Sequence, residues 1–408
     1  MMDEMIDTLV IGGGQAGLSM SHHLTAQGVP HLVLEKKRIA ESWRTARWDS
    51  LVANGPAWHD RVPGHTFDDM DAEAFAGKDR VADYFETLAS RINAPIRCGV
   101  AVQALTRTDA GFRAETTDGV VLARNVVLAT GPFQRPVIPP LVPDASSIVQ
   151  IHSHGYRNPD QLPEGAVLVV GAGSSGSQIA DELLRSGRKV YLSVGPHDRP
   201  PRRYRGRDFV WWLGVLGKWD IKTRPVGTEH ITIAVSGAYG GHTIDFRRFA
   251  ARGMVLLGRA NACVDGVLQL NDDLVRNIRA GDANYLSVLD EADAYAAAQA
   301  LDLPLEPAAR DLLPDPACMM HPVQSLDLAG AGITCIVWAT GYALDFGWVK
   351  IDAFDDKGKP VHRDGVSDVP GLYFIGLPWM SNRASAFIWG AWRDAERLAT
   401  LVAARATA

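Results

Sequence analysis

An apolar run of strand character, Asp7-Thr8-Leu9-Val10-Ile11, stops at a group of glycines and gives way to Leu18-Ser19-Met20-Ser21-His22-His23-Leu24, which reads as helix. A second apolar run, His31-Leu32-Val33-Leu34-Glu35, follows. The same order returns in mid-chain. Ala166-Val167-Leu168-Val169-Val170 leads to a helical Gln178-Ile179-Ala180-Asp181-Glu182-Leu183-Leu184-Arg185, stopped by Ser186-Gly187, and then to Lys189-Val190-Tyr191-Leu192-Ser193. Between the two, Gly and Pro punctuate a loop-rich stretch from about residue 56 to Gly64. Arg80 to Ile92 predicts a helix with Val81, Tyr84, Phe85 and Leu88 on one face. Val100 to Leu105, Phe112 to Thr116 and Val120 to Leu122 predict a small antiparallel meander. After it, Asn125-Val126-Val127-Leu128-Ala129-Thr130-Gly131 predicts a buried strand, and Thr334-Cys335-Ile336-Val337-Trp338-Ala339-Thr340-Gly341-Tyr342 repeats that string near the other end. The repetition predicts two related units, the second inserted within the first, with hinges at Pro132 to Pro143 and just after Gly341.

Two glycine turns say what such units hold. Gly12-Gly13-Gly14-Gln15-Ala16-Gly17 and Gly171-Ala172-Gly173-Ser174-Ser175-Gly176 each stand between a strand and a helix, the context a dinucleotide-binding turn requires. Gly12 allows the tight turn, Gly14 lets a pyrophosphate approach the backbone, and Gly17 lets helix and strand pack closely, so the phosphates meet the positive end of the helix. Glu35, 18 residues beyond Gly17, is placed to accept ribose hydroxyls. The second unit has no acid at the matching strand end. It has five arginines between Arg199 and Arg207 instead, and Arg202 and Arg203 are the candidate ligands for a 2′-phosphate, which favours NADPH over NADH. Two such turns point to electron transfer between two dinucleotides.

Composition narrows the class. A chain of 408 residues exceeds one ordinary core, and a net charge of −6 argues against nucleic acid as a partner. Cys98, Cys263, Cys318 and Cys335 form no CxxC pair and no metal spacing, so a metal site is not expected and the cysteines read as reduced packing residues. Met1-Met2-Asp3-Glu4-Met5 runs straight into the first strand, and no apolar run reaches the length of a membrane span. A cytoplasmic enzyme without a membrane anchor is the expectation.

Further strings complete a pattern: Glu41-Ser42-Trp43-Arg44 after Glu35, Arg47-Trp48-Asp49-Ser50-Leu51, His152-Ser153-His154-Gly155-Tyr156 and Pro370-Gly371-Leu372-Tyr373-Phe374-Ile375-Gly376. With the glycine turns and the two Ala-Thr-Gly strings, the chain resembles the flavin-containing monooxygenase group, the class B flavoprotein monooxygenases, over nearly its whole length except roughly residues 205 to 320. The resemblance implies an α/β fold of two Rossmann-like dinucleotide-binding domains, the second inserted in the first. Residues 1–145 would be the first part of the FAD-binding domain, 160–330 the NAD(P)H-binding domain with a substrate-region insertion, and 331–408 the C-terminal part of the FAD-binding domain. FAD would lie on Gly12, Gly14, Gln15, Ala16, Gly17, Glu35 and Lys36, with Trp43 and Arg44 near the isoalloxazine and Trp48, Leu51, Val102, Thr130, Gly131, Gly376, Ser385 and Ala386 completing its site. NADPH would lie on Gly171, Gly173, Ser174, Ser175, Gly176, Thr340 and Gly341. Asn54, in Ser50-Leu51-Val52-Ala53-Asn54-Gly55-Pro56, matches the Asn that donates near the flavin in this group and is the candidate catalytic residue. Departures are visible. Ser146 and Ile148 stand where the linker fingerprint has Phe and Gly, although His152 and Tyr156 match its second half, and Leu377 stands where an Asp is usual.

The implied reaction uses NADPH and O2 to oxygenate a small molecule at N or S through a flavin C4a-(hydro)peroxide, with a homodimer as the expected assembly. Baeyer–Villiger oxygenation is a subtype for which no Arg over the flavin is identified. An NAD(P)H-dependent reductase of a small acceptor or ferredoxin stays open as the alternative. Phe209-Val210-Trp211-Trp212-Leu213 and Trp219 form either core or an apolar pocket wall. Tyr239-Gly240-Gly241-His242-Thr243-Ile244-Asp245 has no motif-level account.

Overall fold

A computed structural model describes residues 4–143, 147–222 and 232–406. The first unit is built on β1 (Glu4–Ile11), α1 (Gln15–Ala26) and β2 (His31–Glu35), with a short α2 (Glu41–Thr45) and the amphipathic α3 (Lys78–Arg91) beside them. Val81, Tyr84, Phe85 and Leu88 are all buried, as the helical spacing requires. Next come β3 (Ile96–Cys98), β4 (Val102–Thr108), β5 (Gly111–Thr116) and β6 (Gly119–Leu128). The meander's last strand and the buried strand expected after it are thus one continuous strand of 10 residues. β6 is antiparallel to β5 over its first half and parallel to β1 along its length, with Val10 opposite Val127. The sheet runs Val349–Lys350, β4, β5, β6, β1, β2, β3, and Leu372–Phe374 adds alongside β6.

The chain crosses through β7 (Arg135–Pro136) and enters the second sheet at β8 (Val149–His152), followed by β9 (Ala166–Val170), α4 (Ser174–Arg185) and β10 (Val190–Ser193). Its parallel order is Val255–Leu257, β10, β9, Ile333–Trp338, β8. Every residue of β9 is buried, as a central parallel strand covered on both faces must be. Ile333–Trp338 pairs with β8 and β9 in this second sheet, so the chain returns to the first unit only after Gly341, not at residue 331. The return strand Tyr342–Ala343 pairs antiparallel with β7, so the outgoing and incoming crossings lie side by side. Ser146 and the expected domain limit at 145 fall outside the described residues.

The two glycine turns repeat each other in steric detail. A Cβ on Gly17 would lie 1.8 Å from the Gly12 carbonyl oxygen, and one on Gly176 would lie 1.8 Å from that of Gly171. Gly12 and Gly171 have φ of +117° and +106°, and a Cβ on either would lie 2.5 Å from the carbonyl oxygen of Ala129 or Ala339 respectively. Those alanines open the two Ala-Thr-Gly strings, so each string is the wall against which its glycine turn packs.

Candidate active site

Gly14 is the N-cap of α1 and Gly173 that of α4, and no side chain caps either helix. The first-turn N–H groups are therefore left for an anion, and a Cβ on Gly14 would meet nothing within 4 Å, which leaves open the space a diphosphate needs. Glu35 is held at this turn: its carboxylate accepts from the Gly13 N–H at 2.7 Å and from the Lys37 N–H at 2.9 Å, while Lys36 is exposed. Gln15 Nε2 donates to the Ala386 carbonyl at 2.8 Å, and a Cβ on Gly376 would press on Ala16, so the strand and turn from the C-terminal end converge on the start of α1. Ser385 and Ala386 lie in a turn before the helix Ile388–Ala406 rather than inside it. The buried Ser385 hydroxyl accepts from the Ser381 and Asn382 N–H groups and is spent on that turn. These residues fit FAD: donors at a helix start, an acid for a ribose, and glycines wherever the backbone must be approached closely.

Other expected contacts are placed differently. Arg44 pairs with Asp83 at 2.7 Å and Glu86 at 3.0 Å on α3, which draws its charge to that helix rather than to an isoalloxazine. Trp48 and Leu51 are buried in the core of the second unit with Val167, Val169 and Leu192, where they join the two units. Trp43 is half-buried between the two cores, and Val102 is half-buried on β4 opposite Thr116. Thr130 is exposed, its hydroxyl accepting from Gln134 Nε2 at 2.9 Å, and Gly131 has φ +69°.

In the second turn, Ser174 Oγ donates to the Ile233 carbonyl at 2.6 Å and Ser175 is half-buried. Thr340 Oγ1 donates to the Val137 carbonyl at 2.5 Å. Arg202 is turned inward. Its guanidinium forms a two-point pair with Asp208, with Nε 2.9 Å from Oδ2, and donates to the Asn54 carbonyl at 2.6 Å, both charged side chains being at most 2 % exposed. A fork spent in this way is not available to a phosphate at the surface, whereas Arg203 is exposed. An arginine side chain that does pass the end of β10 is that of Arg259. Its side chain would touch a Cβ on Gly195, and it is held by Asp273 at 2.9 Å. Arg202→Ala would strand the Asp208 carboxylate in the interior at a cost of about 3–5 kcal/mol. A clear drop in the denaturant midpoint is the expected result, and an unchanged midpoint would contradict the burial.

Asn54 is where the units meet. Its Oδ1 accepts from Gln178 Nε2 at 2.9 Å, and the same Nε2 donates to the Val235 carbonyl at 2.7 Å. A backbone carbonyl only accepts, so Gln178 can present only its amide nitrogen there. Asn54 must then offer its oxygen, which leaves Asn54 Nδ2 as a donor on an exposed residue. Gln178 is buried on α4, two residues after Gly176. Polarity at an inward-facing position of that helix is the signal that marks it. The unexplained glycine turn supports the same loop: a Cβ on Gly237 would lie 2.3 Å from the Ala53 carbonyl oxygen, and one on Gly241 would lie 2.8 Å from the Phe75 ring.

Beyond Asn54, Asp60 accepts from the Gly55 N–H at 2.9 Å, and His59 Nδ1 lies 2.7 Å from the other Asp60 oxygen. Trp389 donates to His59 Nε2 at 3.1 Å, so His59 is protonated at Nδ1 and donates to Asp60. Trp219 is buried and packs against His59, Phe387 and Trp389 with ring centroids 5.6, 5.0 and 5.5 Å away, so it belongs to the core of this region. Trp212 is wholly buried elsewhere, with Tyr204.

The linker pair acts at the hinge. His152 Nε2 lies 2.9 Å from the Gly341 carbonyl and its Nδ1 accepts from the His154 N–H at 3.0 Å, so the ring is neutral with its proton on Nε2; burial lowers its pKa accordingly. Tyr156, fully buried, donates to Glu182 Oε2 at 2.7 Å, and Ser50 donates to the other oxygen at 2.6 Å, so one carboxylate on α4 clasps the linker and the first unit together. Asp181, beside it, would be raised by burial, but hydrogen bonds from His242, Arg185 and Arg252 overcome this and bring it to about 2. A depressed carboxylate stabilises the fold above its ordinary pKa of 3.8 and loses that contribution as pH falls toward 2. Asp181→Asn is therefore expected to flatten the fall in the denaturant midpoint between pH 5 and about pH 3.

Among the described residues no helix is long and apolar enough to cross a membrane. Residues 9–205 match the pyridine nucleotide-disulphide oxidoreductase family. An uncharacterized oxidoreductase CzcO-like from Geobacillus kaustophilus is 33% identical over 401 residues, covering 97% of this chain and 98% of that protein. Indole-3-pyruvate monooxygenase YUCCA1 from Oryza sativa is 30% identical over 192 residues, 46% of this chain and 47% of that one. The flavin-containing monooxygenase from Stenotrophomonas maltophilia has a similar fold, with a TM-score of 0.68 and 19% identity over 99% of both chains. The chain thus belongs to the CzcO-like oxidoreductases, and it shares its fold with the flavin-containing monooxygenase from Stenotrophomonas maltophilia.

Proposed function

We propose that this protein is a monooxygenase that uses NADPH and O2 to oxygenate a small molecule at a soft N or S nucleophile, acting in the cytoplasm as a homodimer. The observation that carries the reading is the Asn54 amide, fixed by Gln178 so that its nitrogen is left to donate where the two units meet. FAD, when bound, supplies the two-electron store that accepts a hydride from the nicotinamide and activates dioxygen. The chain does the rest. The start of α1 takes the diphosphate, Glu35 takes the ribose, and Asn54 Nδ2 donates to charge that develops beside it. Gly171, Gly173, Ser174, Ser175 and Gly176 take the second diphosphate, with Arg203 and Arg259 on the 2′-phosphate.

Losing a charge-assisted hydrogen bond costs about 1.5–3 kcal/mol, roughly 10- to 100-fold in affinity. Arg259→Ala and Arg203→Ala are therefore expected to raise KM for NADPH on that scale and leave KM for NADH nearly unchanged. Equal losses with both coenzymes would remove the assignment.

The direct test is purified yellow protein, NADPH consumption in air, and product mass across a panel of sulfides and amines. A gain of one oxygen atom, with NADPH consumed one for one, is the expected outcome. NADPH oxidation that feeds only an added acceptor, with no oxygen incorporated, would establish the reductase instead.

A further inference from the structure

The turn before the C-terminal helix carries a guanidinium that no carboxylate among the described residues pairs with. The Arg383 backbone N–H is fixed on the Ile221 carbonyl at 2.9 Å, and its charged group lies 5.9 Å from the centre of the Trp219 ring. Among the described residues that guanidinium has no hydrogen bond and no ion pair. Arg199, Arg202 and Arg247, by contrast, each hold a carboxylate.

A carboxylate in the same condition belongs to a strand paired with one that packs on the same aromatic cluster. Asp198 is the register partner of Ile233, and Ile233 packs with Trp58 and Trp389 on the cluster that contains Trp219 and Ala384. The Asp198 side chain also has no hydrogen bond or ion pair among the described residues. Burial pushes its carboxyl above the usual range against the pull of Arg383, and burial lowers Arg383 against the pull of Asp198. Two half-buried opposite charges therefore sit in each other's field without closing on each other. Half-buried charges are costly unless a partner meets them, and here the rings of Trp219, Phe387 and Trp389 form one cluster, with Arg383 over Trp219 and Ile233, the register partner of Asp198, packed on it. A coenzyme diphosphate would suit Arg383 but be repelled by Asp198. A neutral apolar molecule would answer neither charge.

We propose that Arg383 and Asp198 bind the two ends of an amino-acid zwitterion, the guanidinium taking the α-carboxylate and the carboxylate taking the α-ammonium, with the apolar side chain of the ligand against the Trp219 and Phe387 rings. This names the substrate class for the oxygenation proposed above and rests on that reading for its chemistry, but not for the binding.

Calorimetric titration of the FAD-loaded protein, without NADPH, tests it with L-phenylalanine, L-methionine, L-tryptophan and S-benzyl-L-cysteine, and with benzyl methyl sulfide as the neutral comparison. At least one amino acid is expected to bind, and more tightly than the sulfide. Arg383→Gln and Asp198→Asn are each expected to weaken that binding at least tenfold, Arg383→Lys to weaken it less, and none to change NADP⁺ affinity. Retained FAD and an unchanged far-ultraviolet spectrum identify the variants as folded. Should Arg383→Gln alone fail to fold, the milder Arg383→Lys and Asp198→Asn carry the test. No binding by any of the four amino acids, tighter binding of the sulfide, or a loss confined to NADP⁺ would overturn the proposal. Binding is read without turnover, so a protein that binds the amino acid and inserts no oxygen sinks the monooxygenase reading and leaves this one standing.

Discussion

A Gly14→Asp protein is expected to purify folded and colourless. Gly14 is the N-cap of α1 with extended backbone, φ −91° and ψ −166°, which any residue adopts, and a Cβ there meets nothing. Aspartate is among the best N-caps, contributing about 0.5–2 kcal/mol over alanine, so the fold loses nothing. The same carboxylate would stand where the proposed diphosphate lies. Like charges about 4 Å apart repel by roughly 1–4 kcal/mol between bulk-water and surface dielectric conditions, and a diphosphate brings two of them. A fall in FAD affinity of about 100-fold or more is expected at about 1.4 kcal/mol per factor of ten, with the visible flavin absorbance gone. The unfolding temperature of the apoprotein should equal or exceed that of unsubstituted apoprotein. Gly13 is no substitute for this experiment, because a Cβ there would lie 2.8 Å from Glu35 and lost colour would be inseparable from damage. A Gly14→Asp protein with a full complement of FAD would remove this turn from the cofactor site.

The second large effect concerns Asn54. In Asn54→Asp an oxygen still faces Gln178 Nε2, so the loop keeps its anchor while the donor gives way to an anionic oxygen. A hydrogen bond to a charged group is worth about 1.5–3 kcal/mol, or roughly 10- to 100-fold in the step it assists. NADPH consumption is expected to continue near the original rate while oxygenated product falls on that scale and hydrogen peroxide accounts for the balance. Gln178→Leu should move the ratio of product to NADPH in the same direction by a smaller factor, since it frees the amide to turn without removing it. If Asn54→Asp keeps product and NADPH in step, Asn54 is not the donor.

The glycine turns were legible because their chemistry is steric. A site with 1.8 Å for a Cβ admits only glycine, and the spacing of such sites spells the turn. Helix faces such as Val81 to Leu88 were legible for the same kind of reason, since burial follows the period of the helix. The join within β6 was not. Arg124 and Asn125 interrupt its apolar pattern, and the buried Asn125 lies opposite Thr8, near enough to Asp7 for a 3.4 Å hydrogen bond. Nor does counting arginines say which one folds inward. Asp208, six residues on, claims Arg202, while Arg259 arrives at the strand end from the far side of a long connection. Gln178 and Asn54 are 124 residues apart, and their partnership exists only once the units close on each other.

The antiparallel pairing of β7 with Tyr342–Ala343 has a consequence for how such enzymes are assembled. Entry to the inserted unit and exit from it are neighbours in space, so the insertion closes as one loop on a two-stranded stem, with both of its ends set by a single pairing.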